Sequence, residues 1–146
     1  MDIRPMTMQD YDAVYALWLR TPGMGLNDVD DSPAGVERYL HRNPDTCLVA
    51  EADGKIVGVV LGGEDGRRGF LYHLAVDAAY RRQGIATQLV QRATEILRAR
   101  GLVKVALLAF AHNHTGNTFW DEQHFAARED VVYHEKVLRT VHRIDT

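Results

Sequence analysis

The chain has 146 residues, 46% of them hydrophobic and 25% charged, which suits one domain with a single core and leaves no room for two. A formal net charge of -3 excludes the clustered Lys and Arg face that phosphate-backbone binding needs, so no nucleic-acid partner is expected. Cys47, the one cysteine, closes no internal disulfide, and the longest apolar runs, 56–61 and 105–111, fall far short of the ~20 residues that span a bilayer; a cytoplasmic protein with no membrane partner and no metal is the expectation.

Residues 2–5 open as a short strand. Thr7 and Asp10 have capping-box spacing, and Tyr11, Val14, Tyr15 and Trp18 recur at helical period, predicting a first amphipathic helix. The stretch 21–31 is loop chemistry, with Pro22, Gly23, Gly25, Asn27, Asp28, Asp30 and Asp31, before Ser32 and Pro33 start a second helix reaching about Arg42. Strands at 47–52 and 56–61 flank Asp53-Gly54, a strong hairpin signal; 62–69 reads as a Gly-rich turn and 70–76 as the third strand of a meander. From Arg82 to Arg100 the set Ile85, Ala86, Leu89, Ala93, Ile96 and Leu97 keeps helical period, and Gly101 marks a left-handed end. A buried strand at 104–111 should then run parallel to 70–76 after a right-handed crossover. A short helix near 115–123 and two strands, 125–128 and 131–138, complete the chain. The fold class is α/β (α+β), one domain over 1–146.

Tyr80-Arg81-Arg82-Gln83-Gly84-Ile85-Ala86-Thr87 lies between a strand and the longest helix. Such a turn points successive backbone N–H groups outward where the helix dipole favours negative charge, which suits a pyrophosphate. Gly84 lets the backbone approach phosphates, Ala86 keeps the next turn slim, and Arg81 and Arg82 add charge-assisted contacts. A plain basic strand-to-helix loop is the competing reading of the same peptide.

Leu74-Ala75-Val76 followed by Arg81-x-x-Gly84-x-Ala86 resembles motif A of the GNAT N-acetyltransferase superfamily, whose pattern is Gln/Arg-x-x-Gly-x-Gly/Ala. The order of elements is similar to that family along nearly the whole chain, and 48–86 looks most like its small bacterial YpeA-like type. Asn113-x-x-Gly116-x-x-Phe119-Trp120 with Phe125 resembles the family's second signature. The resemblance implies the acyl-CoA N-acyltransferase fold, a mixed, mostly antiparallel sheet of about six to seven strands with about four helices. It also implies acetyl-CoA (coenzyme A) as cofactor and direct acetyl transfer to a small-molecule or peptide primary amine, with a homodimer among the partners to test. By the same resemblance Leu74, Ala75 and Val76 pair with the pantetheine arm, Arg81, Arg82, Gln83, Gly84, Ile85, Ala86 and Thr87 hold the pyrophosphate, and Asn113 and Trp120 lie beside the cofactor.

Two family helpers are missing. Trp120 stands in the slot of a general-acid tyrosine, and Leu108 in that of a base glutamate. Both favour the alternative of a non-catalytic acyl-CoA-binding module. His73 and Tyr72 are the substitutes next to the cofactor strand, and strand alternation lets only one of them face the substrate. Tyr133 is a third catalytic candidate, expected with His134 to border the acceptor site, and Asp28, Asp30 and Asp31 are expected to steer a cationic amine.

Overall fold

The computed structural model describes residues 1–144. In chain order the elements are β1 (Asp2–Pro5), α1 (Tyr11–Leu19), β2 (Leu26–Asn27), α2 (Pro33–Arg42), β3 (Cys47–Ala52), β4 (Lys55–Glu64), β5 (Gly69–Val76), α3 (Ile85–Ala99), β6 (Val105–Leu107), α4 (His114–Glu122) and β7 (Arg143–Ile144). Five strands form one mixed sheet in the order β1-β3-β4-β5-β6, antiparallel except where β6 joins β5, and β2 pairs with β7 in a separate ladder.

Alternate residues of β3 feed two apolar clusters. Cys47 and Val49 pack with Val14, Leu17 and Trp18 of α1 and Val36 of α2, while Leu48 and Ala50 pack with Leu89, Val90 and Ala93 of α3. Each such large side chain, wholly buried, contributes about 1.5–3 kcal/mol. Helix α3 ends as its sequence predicts: Gly101 is left-handed, and its N–H and that of Leu102 bond the carbonyls of Arg98 and Leu97.

The first helix is fixed by a carboxylate. Asp10 accepts two hydrogen bonds from the Arg4 guanidinium and one from the Thr7 N–H, all at 2.9 Å, joining β1 to the entry of α1. The Arg4 bond first, then the Thr7 amide and the Arg4 charge, hold its carboxyl below the usual carboxylate range despite burial. Asp10→Asn should therefore lose about 2 kcal/mol in urea unfolding at neutral pH. Since the folded value is the lower one, the stabilisation is full above the unfolded pKa of about 3.9 and fades as pH falls through the folded value, so the gap to the variant closes in acid.

Three expectations are corrected. Gly62 and Gly63 belong to β4 rather than to the turn, which shrinks to 65–68. A Cβ on Gly62 would stand 2.6 Å from the Thr46 carbonyl oxygen and one on Gly63 would meet the Tyr39 hydroxyl, so these glycines serve close packing. The strand expected at 104–111 is only three residues long. The strands expected at 125–128 and 131–138 do not form; the chain there is irregular and exposed, and the last ladder is β7 on β2, which no local pattern announced.

Candidate active site

The site begins with a break in β5. Its ladder with β4 pairs Leu61 with Tyr72 and Val59 with Ala75, so β5 carries one extra residue and His73 and Leu74 together face the single Val60 of β4. His73 takes up the slack in the left-handed region, φ 52°. This β-bulge corrects the alternation argument: Tyr72 and His73 both line the same cavity.

On its other edge β5 pairs with β6 only over Gly69–Leu71, after which the two strands part. The gap is a cavity of about 1210 Å³, walled by Leu74, Ala75 and Val76 on one side and by Leu107, Leu108 and Phe110 on the other, with Trp120 and Phe119 of α4 at its flank. Trp120 is half-buried and packs edge-on against Phe119 and Phe125.

At one end of this gap lies the turn before α3. Arg82 has φ 62° and Gly84 φ 77°, while Arg81 is extended, a sequence of backbone signs that aims neighbouring N–H groups to one side. Gly84 caps α3 without a side-chain bond, and the N–H groups of Ile85, Ala86 and Thr87 have no partner among the described residues. The nearest atom to a Cβ built on Gly84 is 3.8 Å away, so the space in front of it is open. Orphaned donors, open space and two arginines fit an anionic group such as a pyrophosphate. Arg81 and Ala86 line the cavity, Ile85 turns into the core, and the Thr87 hydroxyl accepts from the Gln123 side chain at 3.1 Å, tying α4 to α3. Asn113 also lines the cavity, and its side-chain oxygen caps α4 by accepting from the Gly116 N–H at 3.0 Å.

The other end is built around His73. Its Nε2 lies 2.8 Å from Oδ1 of Asp31, whose Oδ2 accepts from the Asn27 N–H and whose carbonyl accepts from the buried Tyr11 hydroxyl. The His73 carbonyl accepts from the indole N–H of buried Trp18 at 3.1 Å, and the Trp18 ring stands edge-on to the imidazole. The acidic loop is thus divided. Asp31 is buried in this network, Asp28 accepts from the His142 N–H, and Asp30 remains exposed at the cavity rim. Steering by all three carboxylates is therefore withdrawn. Tyr72, in edge contact with Tyr39, has its hydroxyl pushed up by burial and secondarily by the Asp30 charge. Tyr133 reaches the rim, donating to Glu135 at 3.0 Å, whereas His134 is not among the lining residues. The sequence reading missed Asp31 as a partner for His73 and missed Trp18 and Glu135 here; no spacing rule links positions 18, 31 and 73.

The arrangement offers a long apolar slot, an anion cradle at one end, and an imidazole–carboxylate pair at the other. A family model described as the acetyltransferase (GNAT) family matches residues 11–125. The chain is 42% identical over 113 residues to an acetyltransferase of Pectobacterium atrosepticum, covering 77% of this chain and 79% of the relative. It is 35% identical over 132 residues to an acetyltransferase of Sodalis glossinidius, covering 90% and 92%. Similar solved structures include Ard1 from Thermoplasma volcanium, with TM-score 0.76, 20% identity and coverage of 86% and 82%. Another is the PaiA N-acetyltransferase of Thermoplasma acidophilum in complex with coenzyme A, with TM-score 0.71, 15% identity and coverage of 84% and 87%. At those identities the likeness is one of fold.

Proposed function

Since this chain belongs to the GNAT family of acetyltransferases and takes acetyl-CoA as its cofactor, we propose that it transfers the acetyl group directly to a primary amine, with His73 as the base. The observation that carries this reading is the slot between β5 and β6, with orphaned amides at one end and the His73–Asp31 pair at the other. When bound, acetyl-CoA supplies an acetyl group activated as a thioester. The N–H groups of Ile85, Ala86 and Thr87, with Arg81 and Arg82, hold its phosphates; Gly84 and Gln83 shape the turn that lets them do so. The backbone of Leu74, Ala75 and Val76, unpaired on the β6 side, holds the pantetheine arm, with Trp120 and Asn113 closing the slot.

Asp31, accepting from the Nε2–H of His73, leaves the lone pair on Nδ1, which takes one proton from the acceptor ammonium so that the free amine can attack; the second proton, shed from nitrogen as the C–S bond breaks, goes to solvent. At the bulge, where His73 and Leu74 face the single Val60, a backbone N–H turned toward the slot would donate to the acetyl oxygen and stabilise negative charge there. Neither Trp120 nor Leu108 supplies a proton, and the departing thiolate needs none at neutral pH, because a thiol of pKa about 8.5 is an adequate leaving group. Tyr72 and Tyr133, with Asp30 and Glu135, border the entry through which the acceptor comes as a cation.

Among the described residues no helix is long and apolar enough to cross a membrane. A cytoplasmic setting is the reading we favour, on a single cysteine whose buried thiol is pushed up to about 12. We also take the working unit to be a homodimer, on the exposed apolar segment near the C-terminus. The test is a panel of primary amines with acetyl-CoA, following free thiol. Thiol release that depends on the amine, with an acetylated amine as product, is expected; thiol release no faster with any amine than with water alone overturns the transfer reading.

A further inference from the structure

Part of the charge lining the cavity takes no part in the transfer step. Arg38, Arg42 and Arg81 all line it, and no hydrogen bond or ion pair joins their guanidiniums to any described residue. Elsewhere arginines are matched: Arg4, Arg20, Arg100 and Arg128 each hold an aspartate. Arg81 belongs to the turn before α3. Arg38 and Arg42 stand apart from that turn, on α2, which packs through Val36 and Leu40 into the cluster shared with α1, whereas α3 packs into the other cluster. Two sets of unmatched cations, on helices packed against different cores, call for two anions, and the cofactor phosphates answer only for the first.

The helix itself gives no reason for the pair. Like charges four positions apart disfavour a helix. Arg42, in the last turn of α2, suits the helix dipole, but Arg38 lies a turn earlier and gains nothing from it. What the two share is the cavity. The N-cap Ser32 follows Asp31, so at ~1.5 Å per residue Arg38 stands about 9 Å and Arg42 about 15 Å along the axis. Helical Cβ bonds tilt toward the N-terminus, which leans both side chains back toward the His73–Asp31 pair.

We propose that Arg38 and Arg42 bind an oxyanion, a carboxylate or a phosphate, at the far end of the acceptor, about 10 Å from the nitrogen that His73 deprotonates. The acceptor is then a zwitterion, its ammonium end passing Asp30 and Glu135 and its anionic end held on α2. The spacing also sets its length. An extended chain advances ~3.3–3.6 Å per residue, so a tripeptide or a chain of equal reach spans the two ends and a free amino acid does not.

This rests on the reading of amine transfer at His73, and the experiment separates the two. Rates of thiol release with acetyl-CoA are compared for triglycine and its C-terminal amide, and for 6-aminohexyl phosphate and hexylamine. In at least one pair the anionic amine should have a kcat/KM about 10-fold or more above its neutral counterpart, and the pair that shows it names the anion. In Arg38→Gln and in Arg42→Gln that ratio should fall to within about threefold, the loss lying in KM rather than kcat, and Arg38→Glu should invert it. Both positions are exposed, and unchanged thermal unfolding checks that each variant is folded. Thiol release with none of these amines nor any other primary amine overturns the transfer reading and this one with it. Transfer without an anion preference, or a preference that survives both substitutions, overturns the arginine subsite alone. So does a fall of about 10-fold in coenzyme A affinity in the glutamine variants, which would give these arginines to the cofactor instead.

Discussion

His73→Asn should lower kcat by about 10²–10⁴ while leaving the dissociation constant for coenzyme A within about twofold. Asparagine is the informative choice because it tolerates the left-handed backbone that His73 adopts at φ 52°, where alanine would add strain to the loss of the imidazole. If His73 served only to pack against Trp18 and Asp31, its loss would be read in unfolding and not in turnover of the folded enzyme. A kcat within about threefold of wild type, in a variant that binds coenzyme A normally, removes His73 from the proton path. Asp31→Asn keeps the shape but loses the charge and the acceptor that sets the His73 tautomer, so it should also lower kcat, again with cofactor affinity preserved.

Gly84→Glu should all but abolish cofactor binding. A carboxylate placed about 4 Å from a phosphate charge costs about 4 kcal/mol at an effective dielectric near 20, close to a thousandfold in affinity. The left-handed backbone at φ 77° adds strain for any side chain, and Gly84→Ala carries that strain without the charge, so it should lose far less. Thermal unfolding gives an independent reading. Coenzyme A at about 100 times its dissociation constant should stabilise the wild-type chain by about 2.7 kcal/mol and Gly84→Glu by almost nothing. Equal calorimetric affinity in wild type and Gly84→Glu would withdraw the turn before α3 from phosphate binding.

The turn proposed to hold the cofactor was legible as a structure because its geometry is local. A strand, a turn rich in positive φ and the first turn of a helix follow one another within 74–87, and the contacts proposed there come from backbone amides, so residue order alone points to them. The acceptor half is not local. His73 meets Asp31 across 42 positions and Trp18 across 55, through a loop whose path depends on β7. The bulge was equally hidden. Periodicity treats β5 as a regular strand, and one inserted residue reverses which side chains share a face. The helices were read well because each carries its own start and stop, such as Ser32 accepting from the Gly35 N–H before Pro33. At 125–128 and 131–138 the sequence favours strands, yet among the described residues these segments join no ladder, since propensity states what a segment favours and not where its neighbour is.

The two-residue ladder of β2 on β7 has a kinetic consequence. His142 reaches back 114 positions to Asp28, so the loop that presents Asp31 is pinned by contacts whose closure carries one of the largest chain-entropy costs in the molecule. Contacts of such long range and small number form after the sheet and come apart before it, on excursions far less costly than global unfolding. Each excursion would release Asp31 from the imidazole while the cofactor turn, built on α3 and the central strands, stays intact. Competence for transfer is in this sense a separately melting property: on mild heating or in dilute denaturant, turnover should decay ahead of both coenzyme A binding and the loss of the core.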